Sequence, residues 1–284
     1  MNLPTLPQIL VDAAVRRALA EDLGLAGDVT SDATVPAGAV ARATLNARDD
    51  GVVSGLDVAA HVFRTVDPDV KVTLRARDGV PVAQGDELAV VEGPARAVLG
   101  GERVALNFLC HMSGMATLTA RYVAAVEGTG AAIVCTRKTL PGLRAFAKYA
   151  VRCGGGRSHR YGLDDAVLIK DNHIAVAGGV REAIEAARAF VGHLTKIEVE
   201  VDTLDQLREA MEAGPDVVML DNMSPDVLRE GVGIVAGRIP VEASGNVSLE
   251  TVRAIAETGV DMISTSKITM SAPSFDVGLD IAVR

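Results

Sequence analysis

Ile197-Glu198-Val199-Glu200-Val201, a helical pattern from Leu204 to Ala213, and Val217-Val218-Met219-Leu220-Asp221 together decide the fold. Runs rich in Val, Ile and Leu on either side of a helix read as parallel strands buried on both faces. The alternation extends in both directions. Apolar runs recur at Ala132 to Cys135, Ala166 to Ile169, Ile239 to Ala243 and Met262 to Ile263, with helix-like segments at Arg181 to Phe190, Pro225 to Ala236 and Leu249 to Glu257. Each run ends on a functional group: Thr136-Arg137-Lys138, Lys170, Glu200, Asp221, Ser244 and Ser264. Barrels build their sites on that face from several strand ends, whereas a doubly wound sheet draws on fewer strands around one switch point. The strands counted fall short of a full barrel, so the pattern predicts an open, incomplete α/β barrel.

The upstream chain differs in character. Val11, Val15 and Leu19 repeat at helical spacing after Pro7, predicting a helix over 8–21, and a turn-rich stretch runs from Gly24 to Gly38. Short β-like runs at Ala41 to Ala47, Val70 to Ala76 and Leu88 to Glu92 alternate with turn signals, which predicts a small antiparallel sheet with a helix or two. Residues 102–126 carry a long helical pattern, with Ser113-Gly114 read as an interruption.

Composition narrows the function. A chain of 284 residues with 49% hydrophobic and 23% charged residues is an ordinary globular protein. Its net charge of −9 argues against a general binder of nucleic acid or anionic membrane, so any basic cluster must be a local pocket. Cys110, Cys135 and Cys153 are too scattered for a disulfide framework. With no secretory signal pattern and no long apolar run, a cytoplasmic protein is expected.

Within this acidic chain, cations gather in three places. Thr136-Arg137-Lys138-Thr139 puts two at a strand end, facing an anion or standing as solvated surface charges. Gly154-Gly155-Gly156 leads into His159-Arg160; glycines let backbone N–H groups approach a ligand, and arginine grips a carboxylate or phosphate through two hydrogen bonds. A flexible linker is the plainer alternative. Lys170 reads as an anion ligand, a Schiff-base nucleophile or the partner of a carboxylate. His173 has no second His or Cys at metal spacing and reads as structural. Glu200 and Asp221, on consecutive strand ends, suit Mg²⁺ or balance Lys138 and Lys170; Glu198 shares the face of Glu200 but is less attractive. Glu242-Ala243-Ser244-Gly245-Asn246 reads as a small-residue phosphate turn at a strand end or as a common turn.

Taken in order, these segments resemble quinolinate phosphoribosyltransferases. The likeness runs through Glu21-Asp22-Leu23-Gly24, Gly27-Asp28-Val29-Thr30, Glu102-Arg103, Ala105 to Leu109, Ser113-Gly114, Thr136 to Thr139, Gly154 to Gly156, His159-Arg160, Lys170 to His173, Glu198 to Glu200, Leu220 to Asn222 and Ser244-Gly245. It implies an N-terminal α/β sandwich over 1–113, with the tail 272–284 counted beside it, and an open α/β barrel catalytic domain over 114–271. It implies a homo-oligomer, at least a dimer, in which Arg103 reaches the neighbour's site. The implied reaction joins quinolinate to phosphoribosyl pyrophosphate with Mg²⁺, giving nicotinate mononucleotide, pyrophosphate and CO₂. Arg103, Thr136, Arg137, Lys138, His159, Arg160 and Lys170 would hold quinolinate. Lys170, Glu200, Asp221, Ser244, Gly245, Asn246, Thr265, Ser266 and Lys267 would hold the donor, with Mg²⁺ on Glu200 and Asp221. Lys138, Lys170, Glu200 and Asp221 would carry the catalysis.

The resemblance lapses in one place. A Gly-Ala-Leu-Thr-His type sequence is expected near the last strand, and Ser266-Lys267-Ile268-Thr269-Met270 stands there. Lys267 is then expected to compensate for the lost histidine. Competing readings are a paralogue such as a molybdenum-utilisation protein with another aromatic acid, a Schiff-base barrel lyase, and a non-catalytic sensor of small anions.

Overall fold

A computed structural model describes residues 3–283. The chain divides into two compact units. The first comprises the chain up to Ala120, Thr139–Gly155 and the chain from Ile268 onward. It holds helices α1 (Gln8–Leu23), α2 (Val29–Thr34) and α3 (Leu56–Val66), strands β1 (Val40–Ala47), β2 (Gly51–Val52), β3 (Lys71–Leu74), β4 (Pro81–Val82) and β5 (Glu87–Pro94), and most of α4 (Ala95–Ala125). Along β1 the residues alternate, Ala41, Ala43, Leu45 and Ala47 turning into the core, which is the period of two expected of a sheet covered on one face. The last strand of the chain, Val277–Val283, pairs antiparallel with β1 from Ala47↔Val277 to Ala41↔Val283. With β5 and β3 on the other side it completes a four-stranded sheet.

Helix α4 does not break at Ser113-Gly114. It runs unbroken from Ala95 to Ala125, because Met112 and Met115 are core residues and the Ser113 hydroxyl is occupied by the backbone of Ser54 (2.9 Å from its N–H). Helix α5 (Arg144–Cys153) belongs with this unit, since Phe146, Ala147 and Ala150 pack into its core. The division is therefore interleaved, where the sequence reading took 114–271 as one uninterrupted barrel with 1–113 and the tail 272–284 beside it.

The second unit takes in Arg121–Lys138 and Gly156–Lys267. Its strands are β6 (Ala132–Val134), β7 (Val167–Ile169), β8 (Ile197–Val201), β9 (Val217–Asp221), β10 (Val241–Ser244) and β11 (Met262–Ser264). Its helices are α6 (Asp171–Ala177), α7 (Val180–Phe190), α8 (Leu204–Ala213), α9 (Pro225–Val235), α10 (Val252–Ala256) and the start of α11 (Lys267–Met270), and the strand closing the chain is thereby β12. Every pairing between β6 and β11 in chain order is parallel. The sheet order is β6-β11-β10-β9-β8-β7. That order is cyclic with one missing pair, β6 to β7, whereas a doubly wound sheet reverses direction at a switch point. Instead Arg157 bridges to Val134 on the free side of β6. The second unit is an open α/β barrel.

Local chemistry sets the crossover lengths. Thr203 caps α8 through the Gln206 N–H, and Gly214 ends it in a left-handed conformation. Ser224 caps α9, with Pro225 at its first position. Helix α10 is shorter than the expected 249–257, because the Thr251 hydroxyl takes the Ser248 N–H (2.9 Å) and the first turn is spent on side-chain bonds.

Candidate active site

The C-terminal ends of the barrel strands carry the polar groups. Ser244 pairs in register with Asp221 across β10 and β9, and Ser264 with Val134 across β11 and β6. Thr136, Arg137 and Lys138 follow β6, where the Thr136 hydroxyl receives the Lys138 N–H at 3.0 Å and tightens the turn. Thr265 does the same for the Lys267 N–H at 3.2 Å. Parallel strands aligned in this way bring their C-terminal ends to one face.

Lys170 and Glu200 meet directly, the ammonium on the Glu200 carboxylate. One of the two plain readings of these residues, mutual charge balance, is thus realised. The backbone N–H of Lys170 also donates to Nδ1 of His173 at 3.0 Å, which gives His173 its structural task at the start of α6. Glu200 and Asp221 do not share a partner among the described bonds. Asp221 is held instead by its own neighbour, with Nδ2 of Asn222 at 2.6 Å.

Arg137 and Arg160 lie close enough for repulsion to matter. Burial, and then the positive charge of Arg137, lower the pKa of the Arg160 guanidinium. The Arg160 Nη1 donates to the Ala166 carbonyl at 2.9 Å, but Nε of Arg160 and Nε of Arg137 are buried with no hydrogen-bond partner. Two half-buried guanidiniums, each with a buried and unpartnered Nε, favour an anion between them.

His159 turns inward. Its Nδ1 accepts the Arg160 N–H at 2.7 Å, which leaves the ring proton on Nε2. That nitrogen faces the Glu198 carboxylate at 3.0 Å and the Glu242 carboxylate at 3.8 Å. His159 thus supports Arg160 from below. Glu198 and Glu242 were passed over by the sequence reading, the first ranked below Glu200 and the second left inside a turn motif. Strand alternation was the available signal: Glu198 shares a face with Glu200, and Glu242 with Ser244. Glu242 is only 2% exposed, and burial followed by the nearby Glu198 charge pushes its pKa up to about 7.

The three groups could hold a cation, since one ligand atom from each lies within 4.8 Å of the others. A buried set with a nitrogen donor does not suit Mg²⁺, which keeps waters and substrate phosphates around it. Glu200 and Asp221, oxygen donors at strand ends, suit it better.

The remaining predicted residues are placed as follows. Arg103 is exposed on α4 in the first unit. Ser244 ends β10, and Gly245 and Asn246 make the bend after it. Met270 ends α11 with 51% of its surface exposed. The glycine triplet does not act as a ligand loop at its first position: a Cβ on Gly154 would lie 2.3 Å from the Ala116 carbonyl oxygen and 2.6 Å from Thr119 Cβ, so this glycine serves helix packing.

Comparison with known proteins assigns the family. Residues 28–113 match the quinolinate phosphoribosyl transferase N-terminal domain, and residues 115–280 the C-terminal domain. The chain is 45% identical over 272 residues to nicotinate-nucleotide pyrophosphorylase [carboxylating] of Mycobacterium leprae, covering 94% of this chain and 95% of that one. It is 42% identical over 263 residues to the probable nicotinate-nucleotide pyrophosphorylase [carboxylating] of Bacillus subtilis, covering 93% and 90%. The crystal structure of NadC from Streptococcus pyogenes superposes with a TM-score of 0.95 at 38% identity, covering 99% of each chain. Both domains match over nearly the whole chain, and the chain belongs to the quinolinate phosphoribosyl transferase family.

Proposed function

We propose that the chain transfers the phosphoribosyl group of phosphoribosyl pyrophosphate to the ring nitrogen of quinolinate, releasing pyrophosphate and CO₂ and leaving nicotinate mononucleotide. This is a decarboxylating pentosyl transfer of NAD biosynthesis. The observation that carries it is the pair of half-buried arginines, Arg137 and Arg160, each with an unpartnered Nε, at the strand-end face of an acidic barrel. Quinolinate is a dianion, of matching charge.

In this reading Thr136, Arg137, Lys138 and Arg160 hold the two carboxylates, with His159 acting through Arg160. Lys170 stands between acceptor and donor. Glu200 and Asp221 meet the ribose hydroxyls and hold Mg²⁺, which when bound offsets the charge of the departing pyrophosphate. Ser244, Gly245, Asn246, Thr265, Ser266 and Lys267 take the phosphates, and Lys267 serves where the family pattern has a histidine.

The chemistry asks mainly for placement. The nitrogen lone pair attacks C1 of the ribose as the bond to pyrophosphate breaks, and positive charge builds on the sugar. Carboxylates fixed beside that sugar stabilise the charge, and cations hold the nitrogen in line. Once the nitrogen is quaternised, the adjacent carbon loses CO₂, keeps the electron pair and takes a proton. Nicotinate lacks the second carboxylate, so it would leave a cation of the pocket without its partner and be rejected.

The working form is a homodimer or larger closed assembly in the cytoplasm, with Arg103 entering the neighbour's site. The free cysteines Cys110, Cys135 and Cys153 fit a reducing setting, and no helix among the described residues is long and apolar enough to cross a membrane. Arg103→Ala and Lys138→Ala should each be nearly inactive. Mixed and reassembled, they should regain roughly a quarter of wild-type turnover, because half the dimers carry one intact site. No recovery would place Arg103 in its own subunit's site, and near-normal turnover of either variant alone would remove that residue from the site.

A further inference from the structure

Among the described residues, Asn222, Ala236 and Asn246 are the non-glycine positions with positive φ. Ala236 closes a helix. The other two stand at the site, directly after Asp221 at the end of β9 and in the turn after β10, with φ of 55° and 52°. Left-handed backbone disfavours side chains, and asparagine tolerates it best among those with a Cβ. Strain held at a strand end beside functional groups calls for a reason.

The side chains supply one. Asn222 has a single amide group and both of its ends are used. Its Nδ2 donates to Oδ2 of Asp221 at 2.6 Å, and its Oδ1 accepts from Nδ2 of Asn246 at 3.0 Å. The Asn222 N–H meanwhile donates to the Ser244 carbonyl at 2.9 Å, tying the end of β9 to the end of β10. Asn246 is anchored in turn, its carbonyl receiving the Thr251 hydroxyl at 3.2 Å. Gly245, at φ 86°, is required by this arrangement, since a Cβ there would lie 2.1 Å from Oδ1 of Asn222. The left-handed turn at Asn222 thus accompanies a chain of two carboxamides that reaches from β10 to one oxygen of Asp221.

We propose that Asn222 is a positioning residue, whose carboxamide, braced by Asn246, fixes the orientation of the Asp221 carboxylate toward the donor's ribose and its Mg²⁺. The inference rests on the reading of Asp221 given above. It also reassigns Asn246: its amide serves Asn222 before it serves a phosphate.

The test exploits the strain. Asn222→Gly relieves the left-handed backbone and deletes the clamp, so stability and function should part company. Its melting temperature should equal or exceed that of the wild type. Its affinity for phosphoribosyl pyrophosphate with Mg²⁺, measured by calorimetry without acceptor, should fall about tenfold, while the quinolinate KM stays within about twofold. Asn222→Ala should lose the same affinity and also stability. Asp221→Asn serves as the reference. If Asp221→Asn weakens donor binding and Asn222→Gly does not, Asn222 is a turn residue only and the inference fails. If Asp221→Asn itself binds the donor normally, the reading of Asp221 fails and takes the inference with it. In the double variant the two losses should not add, and full additivity would show that Asn222 acts independently of Asp221.

Discussion

Glu242 places a carboxyl inside a barrel where branched apolar side chains ordinarily pack. Its cost is limited by His159, by the Ser264 hydroxyl and by the proton it keeps. The raised pKa carries a sign for stability. Between the ordinary 4.5 and about 7 the folded protein holds a proton that the unfolded chain has lost, so folding weakens as pH rises through that window. Glu242→Gln has no such proton to lose. Its stability relative to wild type should therefore climb by on the order of 2 kcal/mol between pH 5 and pH 7 and then level off. Denaturant midpoints at pH 5, 6, 7 and 8 check this, and a constant offset would contradict it. At this scale the sequence was only partly legible. Arg137, Lys170 and Asp221 announce themselves by standing at the ends of apolar runs. Glu198 and Glu242 stand inside their runs, where strand alternation gives their face but not their role, which shows only once the partner, here His159 from a distant loop, is in place. The inward turn of His159 is equally a product of tertiary packing.

Elements were more readable than residues. The segment from Ile197 to Asp221 folds as its pattern dictates, β8, α8 and β9 falling at 197–201, 204–213 and 217–221, because hydrophobic period, cap and terminating glycine agree. Strand β12 carries the same kind of signal, Val277, Leu279 and Ile281 alternating along it, but the sequence reading counted these residues only as a tail; which edge they pair with, that of β1, is a fact about the sheet. Helix α4 shows the reverse error, in which a local breaker signal is overridden by core packing. The contact of α5 with α4 is a place where one methyl group matters. Gly154→Ala would press a Cβ against the backbone of Ala116 and Ala120, which cannot yield cheaply. Overpacking of this kind should cost about 2 kcal/mol and lower the melting temperature by roughly 5 °C. A variant melting with the wild type would show that α5 can shift away.

At the scale of the whole molecule, charge is the organising quantity. A surface of net charge −9 repels polyanions in general, yet the barrel face gathers Arg137, Lys138, Arg160 and Lys170 near strand ends that also carry Glu200 and Asp221. In the proposed reading such a site selects a small dianion and a pyrophosphate donor by pairing charges, and it penalises any ligand that leaves one unpaired. The cyclic strand order was legible from the run of strand-end groups. The interleaving of the two units was not, because α5 carries its core face without any sign of which core it joins. The most direct measurement is consumption of quinolinate by the purified protein with phosphoribosyl pyrophosphate, with nicotinate and magnesium-free reactions alongside. Turnover of quinolinate that requires magnesium, with none of nicotinate, is the predicted result, whereas equal turnover of both acids, or none of quinolinate by folded protein, would contradict the account.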